Sequence, residues 1–246
     1  MTEEYTPGYT QTASNFMAQR TVASHAGFVI SRLKPEQRLL DCGCGPGSIS
    51  CDFAQILKRG HVHGIDREES QIELARNRAL QLALSNITFD VASIYNLPFD
   101  DSSFDVVFAH AIFEHISEPN TAVAEMLRVL RPGGIAAIRS PDWGGFLVGP
   151  DVPGLQNAIR SYAALQTANG GDIHIGRKLP GLLRQTGFES IEFSATYDCY
   201  QSPAMIAEYL SLKLDERDAN AMLRWSDDPD AFFAQSWCET VGTKHG

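Results

Sequence analysis

Within Leu39–Ser50, LLDCGCGPGSIS, the chain gathers a carboxylate, two thiols and three glycines. Several chemistries use such residues at close spacing. A metal clip from Cys42 and Cys44 needs further ligands, and the sequence holds no CxxC or HxxxH pair to supply them. A phosphate-binding P-loop needs Lys and then Ser or Thr after its last glycine, where this chain has Ser48 and Ile49. A dinucleotide loop wants G-x-G-x-x-G, but the sixth position from Gly43 is Ser48 and the glycine falls one place early, at Gly47. What remains is D-x-G-x-G-x-G. Glycines at 43, 45 and 47 permit backbone angles and close approaches that a Cβ forbids, so the segment reads as a ligand cradle.

Such a cradle needs a strand before it and a helix after it. RLLDC, HVHGI, ITFDVA, FDVVFAH and GIAAIRS are short apolar strand candidates, separated by helical patterns such as SISCDFAQILKRG and EESQIELARNRALQLAL. Strand and helix alternating in this way imply a parallel sheet covered on both faces. The expectation is one 246-residue domain, α/β, with a doubly wound Rossmann-like, mostly parallel seven-stranded sheet and a helical lid. Residues 1–35 read as an N-terminal helical cover that stops at Pro35, and 36–140 as the ligand-binding core. The stretches 141–175 and 201–230 read as lid insertions, and 176–200 and 231–246 as the final helix and strands. PDWGGFLVGPDVPG, rich in Gly and Pro, reads as a long surface connection.

Composition narrows the partners. A net charge of −10 repels nucleic-acid backbones and anionic membranes, and no apolar run approaches the roughly 20 residues of a membrane span. Five scattered cysteines, at 42, 44, 51, 199 and 238, fit reduced thiols in a cytoplasm better than a disulfide framework. A small-molecule partner and a monomer or homodimer are expected.

Four ordered motifs carry a family resemblance. DCGCGPG, HVHGID ending in Asp66, LPFDDSSFDVVFAHAIFEHI, and EMLRVLRPGG resemble the class I S-adenosylmethionine-dependent methyltransferases, in the branch that acts on small molecules and quinones. The likeness covers about residues 38–140, and IGRKLPGLLRQTGF extends it. It implies S-adenosyl-L-methionine as cofactor, bound by Asp41, Gly43, Cys44, Gly45, Gly47, Asp66, Arg67, Ser93, Ile94 and His110. Asp66 would accept from both ribose hydroxyls, while Arg67 and Ile94 would flank adenine. Asp41 would order the loop amides or meet the cofactor's ammonium group. The family often has Gly-Asp where this chain has Ala92-Ser93; Ser93 still accepts a hydrogen bond, and Asp90 is the nearby carboxylate that would substitute.

Methyl transfer is an in-line displacement, so positioning and exclusion of water supply much of the acceleration. A base is needed only where the acceptor must lose a proton. The catalytic candidates are His110 after the fourth strand, His115 in FEHI, Asp142 after the fifth strand, and His174 where the lid rejoins the core. Two rival functions stand beside this one, a nicotinamide-dependent oxidoreductase and a non-catalytic module that binds the same cofactor.

Overall fold

The computed structural model describes residues 3–246; Met1 and Thr2, part of the expected 1–35 cover, lie outside them. Three short helices come first, α1 (Gln11–Met17), α2 (Val22–His25) and α3 (Gly27–Ile30), in place of the expected continuous helix. The break is local. Thr10 and Thr21 accept from the Ala13 and Ser24 N–H groups, and a capping residue of this kind needs extended backbone, which both adopt.

The core then alternates through β1 (Arg38–Cys42), α4 (Ser48–Ile56), β2 (His61–Asp66), α5 (Glu69–Gln81), β3 (Ile87–Val91), β4 (Phe104–His110), α6 (Pro119–Val129) and β5 (Leu130–Pro141). After it come β6 (Leu147–Gly149), α7 (Leu155–Ala168), α8 (Ile175–Thr186), β7 (Phe188–Cys199), α9 (Pro203–Ser211), α10 (Glu216–Ser226) and β8 (Phe232–Lys244). The strands lie in the order β3-β2-β1-β4-β5-β8, with β1 to β5 parallel and β8 antiparallel to both β5 and β7. The chain leaves β1 toward β2 and returns to β4 on its other side. That reversal opens a crevice at the carboxyl ends of β1 and β4, where open α/β sheets bind ligands.

The sheet has eight strands rather than seven. The extra one is β6, inside the stretch expected to be only a surface connection. β5 covers β8 from Trp237 to Thr243, which leaves Phe232–Ala234 overhanging, and Leu147–Gly149 pairs with that overhang.

Alternation along the strands sets the two faces. Leu40, Cys42, Val107 and Ala109 pack with α6 and α8 on one side, while Leu39, Val106 and Phe108 meet α4 and the N-terminal helices on the other. Cys42 is thus a fully buried core residue, and among the described residues no cluster of His, Cys, Asp or Glu has metal-ligand geometry. A separate apolar cluster joins α1 to α7, α9 and α10 through Phe16, Trp143, Tyr162, Tyr209 and Trp225. This helical layer stands over Ala111–His115, the segment that follows β4.

Candidate active site

The cradle turns on left-handed glycines. Gly43, Gly45 and Gly47 have φ of 72°, 52° and 75°. A Cβ on Gly43 would collide with the Ile112 side chain, and one on Gly47 would lie 2.7 Å from the Ala75 Cβ of α5. The turn therefore hugs both the segment after β4 and the neighbouring helix. Its amides are already committed. Gly43 and Cys44 donate to the Ile65 carbonyl (2.7 and 2.9 Å), Gly45 donates to Asp66 Oδ2 (3.0 Å), and Gly47 donates to the Cys44 carbonyl (3.1 Å). A dinucleotide loop must offer such donors to pyrophosphate, which weighs against the nicotinamide alternative.

Asp66 ends β2 with its carboxylate in the crevice. Oδ2 accepts from Gly45 and Oδ1 from the Glu68 N–H (3.0 Å), so the backbone fixes the group while a lone pair on each oxygen stays free for a vicinal diol. Burial raises its pKa, and the two amide donors oppose that rise. Asp41 is more deeply buried. Ser50 donates to it at 2.5 Å, yet burial lifts the carboxyl to about 7. The expectation that Asp41 orders the loop amides is corrected, because those amides turn to Ile65 and Asp66. Asp41 faces the cavity instead.

That cavity measures about 400 Å³, within the range of about 300–1,000 Å³ typical of small-molecule sites. Nine of the ten expected cofactor residues line it, Asp41, Gly43, Cys44, Gly45, Asp66, Arg67, Ser93, Ile94 and His110; Gly47 does not, and instead packs its turn against Ala75 of α5. Ser93 Oγ also accepts from the Tyr95 N–H (3.2 Å). Asp90 does not take Ser93's place, since it pairs with His63 (2.7 Å) and Arg76 (3.6 Å) away from the cavity. Beside Asp66, Arg67 is tied to Glu3 (2.7 Å), and Glu3 also accepts from Tyr95 and from the Ser117 N–H (2.9 Å).

His110 ends β4, and neither ring nitrogen has a hydrogen-bond partner among the described residues. It packs between Trp237 (4.9 Å) and His25 (5.2 Å). Burial, then the charges of Arg20 and Arg139, hold the ring well below its ordinary pKa, so it is neutral. His115 closes the 3₁₀ turn Phe113–His115 against Tyr5 (4.6 Å). Its Nδ1 is unpartnered, its Nε2 stands 3.7 Å from Glu114 Oε1, and burial lowers it to about 3. Glu114 is buried too. It accepts from Ser140 Oγ at 3.0 Å, and burial raises it to about 7.

Asp142 and His174 are not brought to this site. The Arg177 guanidinium grips Asp142 at 2.5 and 2.6 Å, Gly144 donates to it at 2.8 Å, and His174 lies 3.4 Å away. Burial would raise Asp142, but Arg177 and Gly144 win and hold it below the usual carboxylate value. The cluster ties the turn after β5 to α8 and lines neither cavity.

A second, narrower cavity of about 50 Å³ adjoins the first beneath the helical layer. Phe16, Trp143, Tyr162, Tyr200, Tyr209 and Trp237 wall it, and Glu114, Gln166 and Gln235 give it polar points. Tyr5, Arg20, Ala111 and His115 border both cavities. Sequence reasoning gives Glu114 no role, although it lies inside FEHI. It also misses Tyr5, Met17 and Gln71, which no motif marks, and Tyr95, which opens the YNLPF stretch.

Residues 33–179 match the family described as "Methyltransferase domain". The chain is 29% identical over 191 residues to an uncharacterized methyltransferase of Schizosaccharomyces pombe, covering 74% of this chain and 68% of that one. It is 32% identical over 163 residues to the O-methyltransferase rstn1 of Aspergillus nomiae, covering 66% and 68%. Its fold is similar to that of a phosphoethanolamine N-methyltransferase from Haemonchus contortus solved with S-adenosyl-L-methionine, with a TM-score of 0.63, 19% identity, and coverage of 95% of this chain and 56% of that one.

Proposed function

Because the chain belongs to the methyltransferase-domain family and takes its methyl group from S-adenosylmethionine for a small-molecule acceptor, we propose that the acceptor atom is oxygen on a compact, largely aromatic molecule. The similarity to the O-methyltransferase rstn1 supports oxygen, and the second cavity, walled by rings and meeting the first at His115, supports an aromatic acceptor. Bound S-adenosylmethionine supplies a methyl group on a sulfonium already activated for in-line displacement. The chain does the rest. Asp66 holds the ribose, Ser93, Ile94 and Arg67 border the adenine, and Asp41 meets the ammonium. The rings of Phe16, Tyr200, Tyr209 and Trp237 orient the acceptor and keep water away.

A hydroxyl must lose its proton as it attacks. His115, which borders both cavities and which burial holds at about 3, is neutral here and positions the acceptor rather than taking its proton. His110, neutral and unpartnered beneath the tail of the cofactor, shapes the floor. Residues 141–175 and 201–230 act as the lid over the acceptor. The charge of −10 supports an acceptor that is neither nucleic acid nor a membrane surface. No described helix is long and apolar enough to cross a membrane. All five cysteines are unpaired, which supports a cytoplasmic setting.

The test is turnover of purified protein with S-adenosylmethionine against matched phenols, anilines and thiophenols, read as S-adenosylhomocysteine formed. Phenols alone should turn over; a preference for the anilines would overturn the oxygen assignment.

A further inference from the structure

Methyl transfer to a hydroxyl leaves a proton to be placed, and the second cavity, the aromatic slot, offers few side chains that can take one. Gln166 and Gln235 carry no basic atom, and the Arg20 guanidinium is already protonated. Burial raises all four tyrosines of the slot, so each keeps its own proton. His115 is held at about 3. Glu114 remains, the one carboxyl among the described lining residues.

Its surroundings set it apart from the other buried carboxyls. Glu239 has Arg139 at 3.3 Å, Asp218 has Arg217 at 3.1 Å, Asp142 has Arg177, and Asp66 has two amide donors. Asp41 lines the larger cavity and not the slot. Glu114 has no Lys or Arg partner among the described residues. Ser140 Oγ donates to its Oε2 at 3.0 Å, whereas Oε1 receives no hydrogen bond, since His115 Nε2 stands off at 3.7 Å. The turn that carries it is fixed by the helical layer. The Glu114 carbonyl accepts from Gln166 Nε2 (2.9 Å) and from the Asp172 N–H (3.1 Å), and a Cβ on Gly171 would collide with that same oxygen. The carboxyl is thus held by one oxygen on an immobile turn, and its other oxygen is unclaimed.

We propose that Glu114 is the general base of the reaction, taking the hydroxyl proton of the acceptor on Oε1. The assignment rests on the acceptor atom being oxygen. As that oxygen closes on the methyl carbon, its O–H bond breaks toward Glu114, the O–C bond forms, and the electrons of the S–C bond pass to sulfur, leaving a neutral thioether. The proton goes to water when the product departs. Burial, the largest influence on this carboxyl, lifts it to about 7 against the Ser140 hydroxyl and the charges of Arg20 and Arg139, which suits a group that must take and shed a proton near neutral pH. The other titratable groups facing it, Tyr162 on α7, Tyr209 on α9 and His115 beside it, are uncharged there.

Acceptors of similar shape and different acidity separate a base from a structural residue. The probes are phenol, which keeps its proton at neutral pH, and pentafluorophenol, which is already ionised, each turned over with S-adenosylmethionine by wild type, Glu114→Gln and Glu114→Asp. With phenol, Glu114→Gln should lower kcat by about 10²–10⁴-fold, the worth of a general base, and with pentafluorophenol by less than about tenfold. Glu114→Asp, keeping the carboxylate, should fall between wild type and Glu114→Gln. In the wild type, kcat for phenol should rise with pH through a limb near 7 that vanishes in Glu114→Gln; a limb that persists there would belong to Asp41, also at about 7, and would overturn the assignment. Calorimetric affinity for S-adenosylhomocysteine should be unchanged in both variants, and its loss in both would make Glu114 a structural residue. Equal losses with the two phenols, or none, would remove Glu114 as the base and leave oxygen as the acceptor atom. A wild type inert toward both phenols would overturn the oxygen reading and this assignment with it.

Discussion

The two cavities are built in opposite ways. The larger is made of backbone turns at strand ends, where Gly43, Gly45, Gly47, Asp66 and Ser93 come from three short stretches whose positions the parallel sheet dictates. The smaller is made of side chains alone. Phe16, Trp143, Tyr162, Tyr200, Tyr209 and Trp237 come from six separate segments, and helix packing brings them together. A ligand common to many proteins suits the first kind of wall, and a ligand particular to one protein suits the second. Sheet geometry tolerates few changes at the strand ends, while rings in a helical layer exchange at the cost of packing alone.

This contrast can be broken by substitutions that act on one cavity and spare the other. The largest effect is expected at the boundary. His115→Asn should lower kcat by about 10²-fold, the cost of misplacing a reactant, with little change in S-adenosylhomocysteine affinity, measured by steady-state kinetics beside calorimetry; a loss confined to cofactor binding would remove His115 from acceptor positioning. Next comes a pH effect on stability. Glu114 rises from 4.5 to about 7 on folding, so the folded protein binds more protons in that window and loses stability as pH climbs through it. Denaturant melts across that range should show the ligand-free protein losing up to about 3 kcal/mol from this group, and Glu114→Gln should flatten that part of the slope. Asp41, also raised to about 7, contributes in the same direction and stays in the variant.

Asp66→Ala should weaken S-adenosylhomocysteine by about 1.5–3 kcal/mol, the worth of hydrogen bonds to a charged group, and leave acceptor KM unchanged at saturating cofactor. Titration that returned wild-type affinity from a folded variant would remove Asp66 from the ribose. The smallest effect belongs to Asp142→Asn. Its partner Arg177 is more than half exposed, so stability should drop by about 1 kcal/mol or less, and kcat should not move. A fall in kcat would bring the Asp142, His174 and Arg177 cluster back into the chemistry.

The same contrast explains what the sequence made legible. Glycine spacing and strand-terminal carboxylates are local signals, so the cradle and Asp66 can be read in a dozen residues each. The aromatic slot has a weaker signal: Trp143, Tyr162 and Tyr209 fall in the expected lid, with Tyr200 at its edge, where rings can line an acceptor pocket, but helical spacing reads more readily as the lid's own core, and their neighbourhood with Phe16 arises only on folding. Glu114 was hidden for another reason. A glutamate in a short turn beside a strand reads as solvated, and only its burial against Ser140 makes it distinctive. The N-terminal segment misled through its apolar periodicity, which continues across Thr21 even though that residue caps a new helix. β6 depended on an overhang of β8 that three residues flanked by Gly and Pro could not announce. Asp142 follows the fifth strand, but Arg177 draws its carboxylate away from the crevice.

The turn between β1 and α4 points its amides inward, at Ile65 and Asp66, rather than at the ligand. ATP and ADP carry the same adenosine as S-adenosylmethionine but add a chain of negative charge. A phosphate chain laid along this turn would lie against the carboxylates of Asp41 and Asp66, so the charge of the cavity wall itself disfavours such nucleotides.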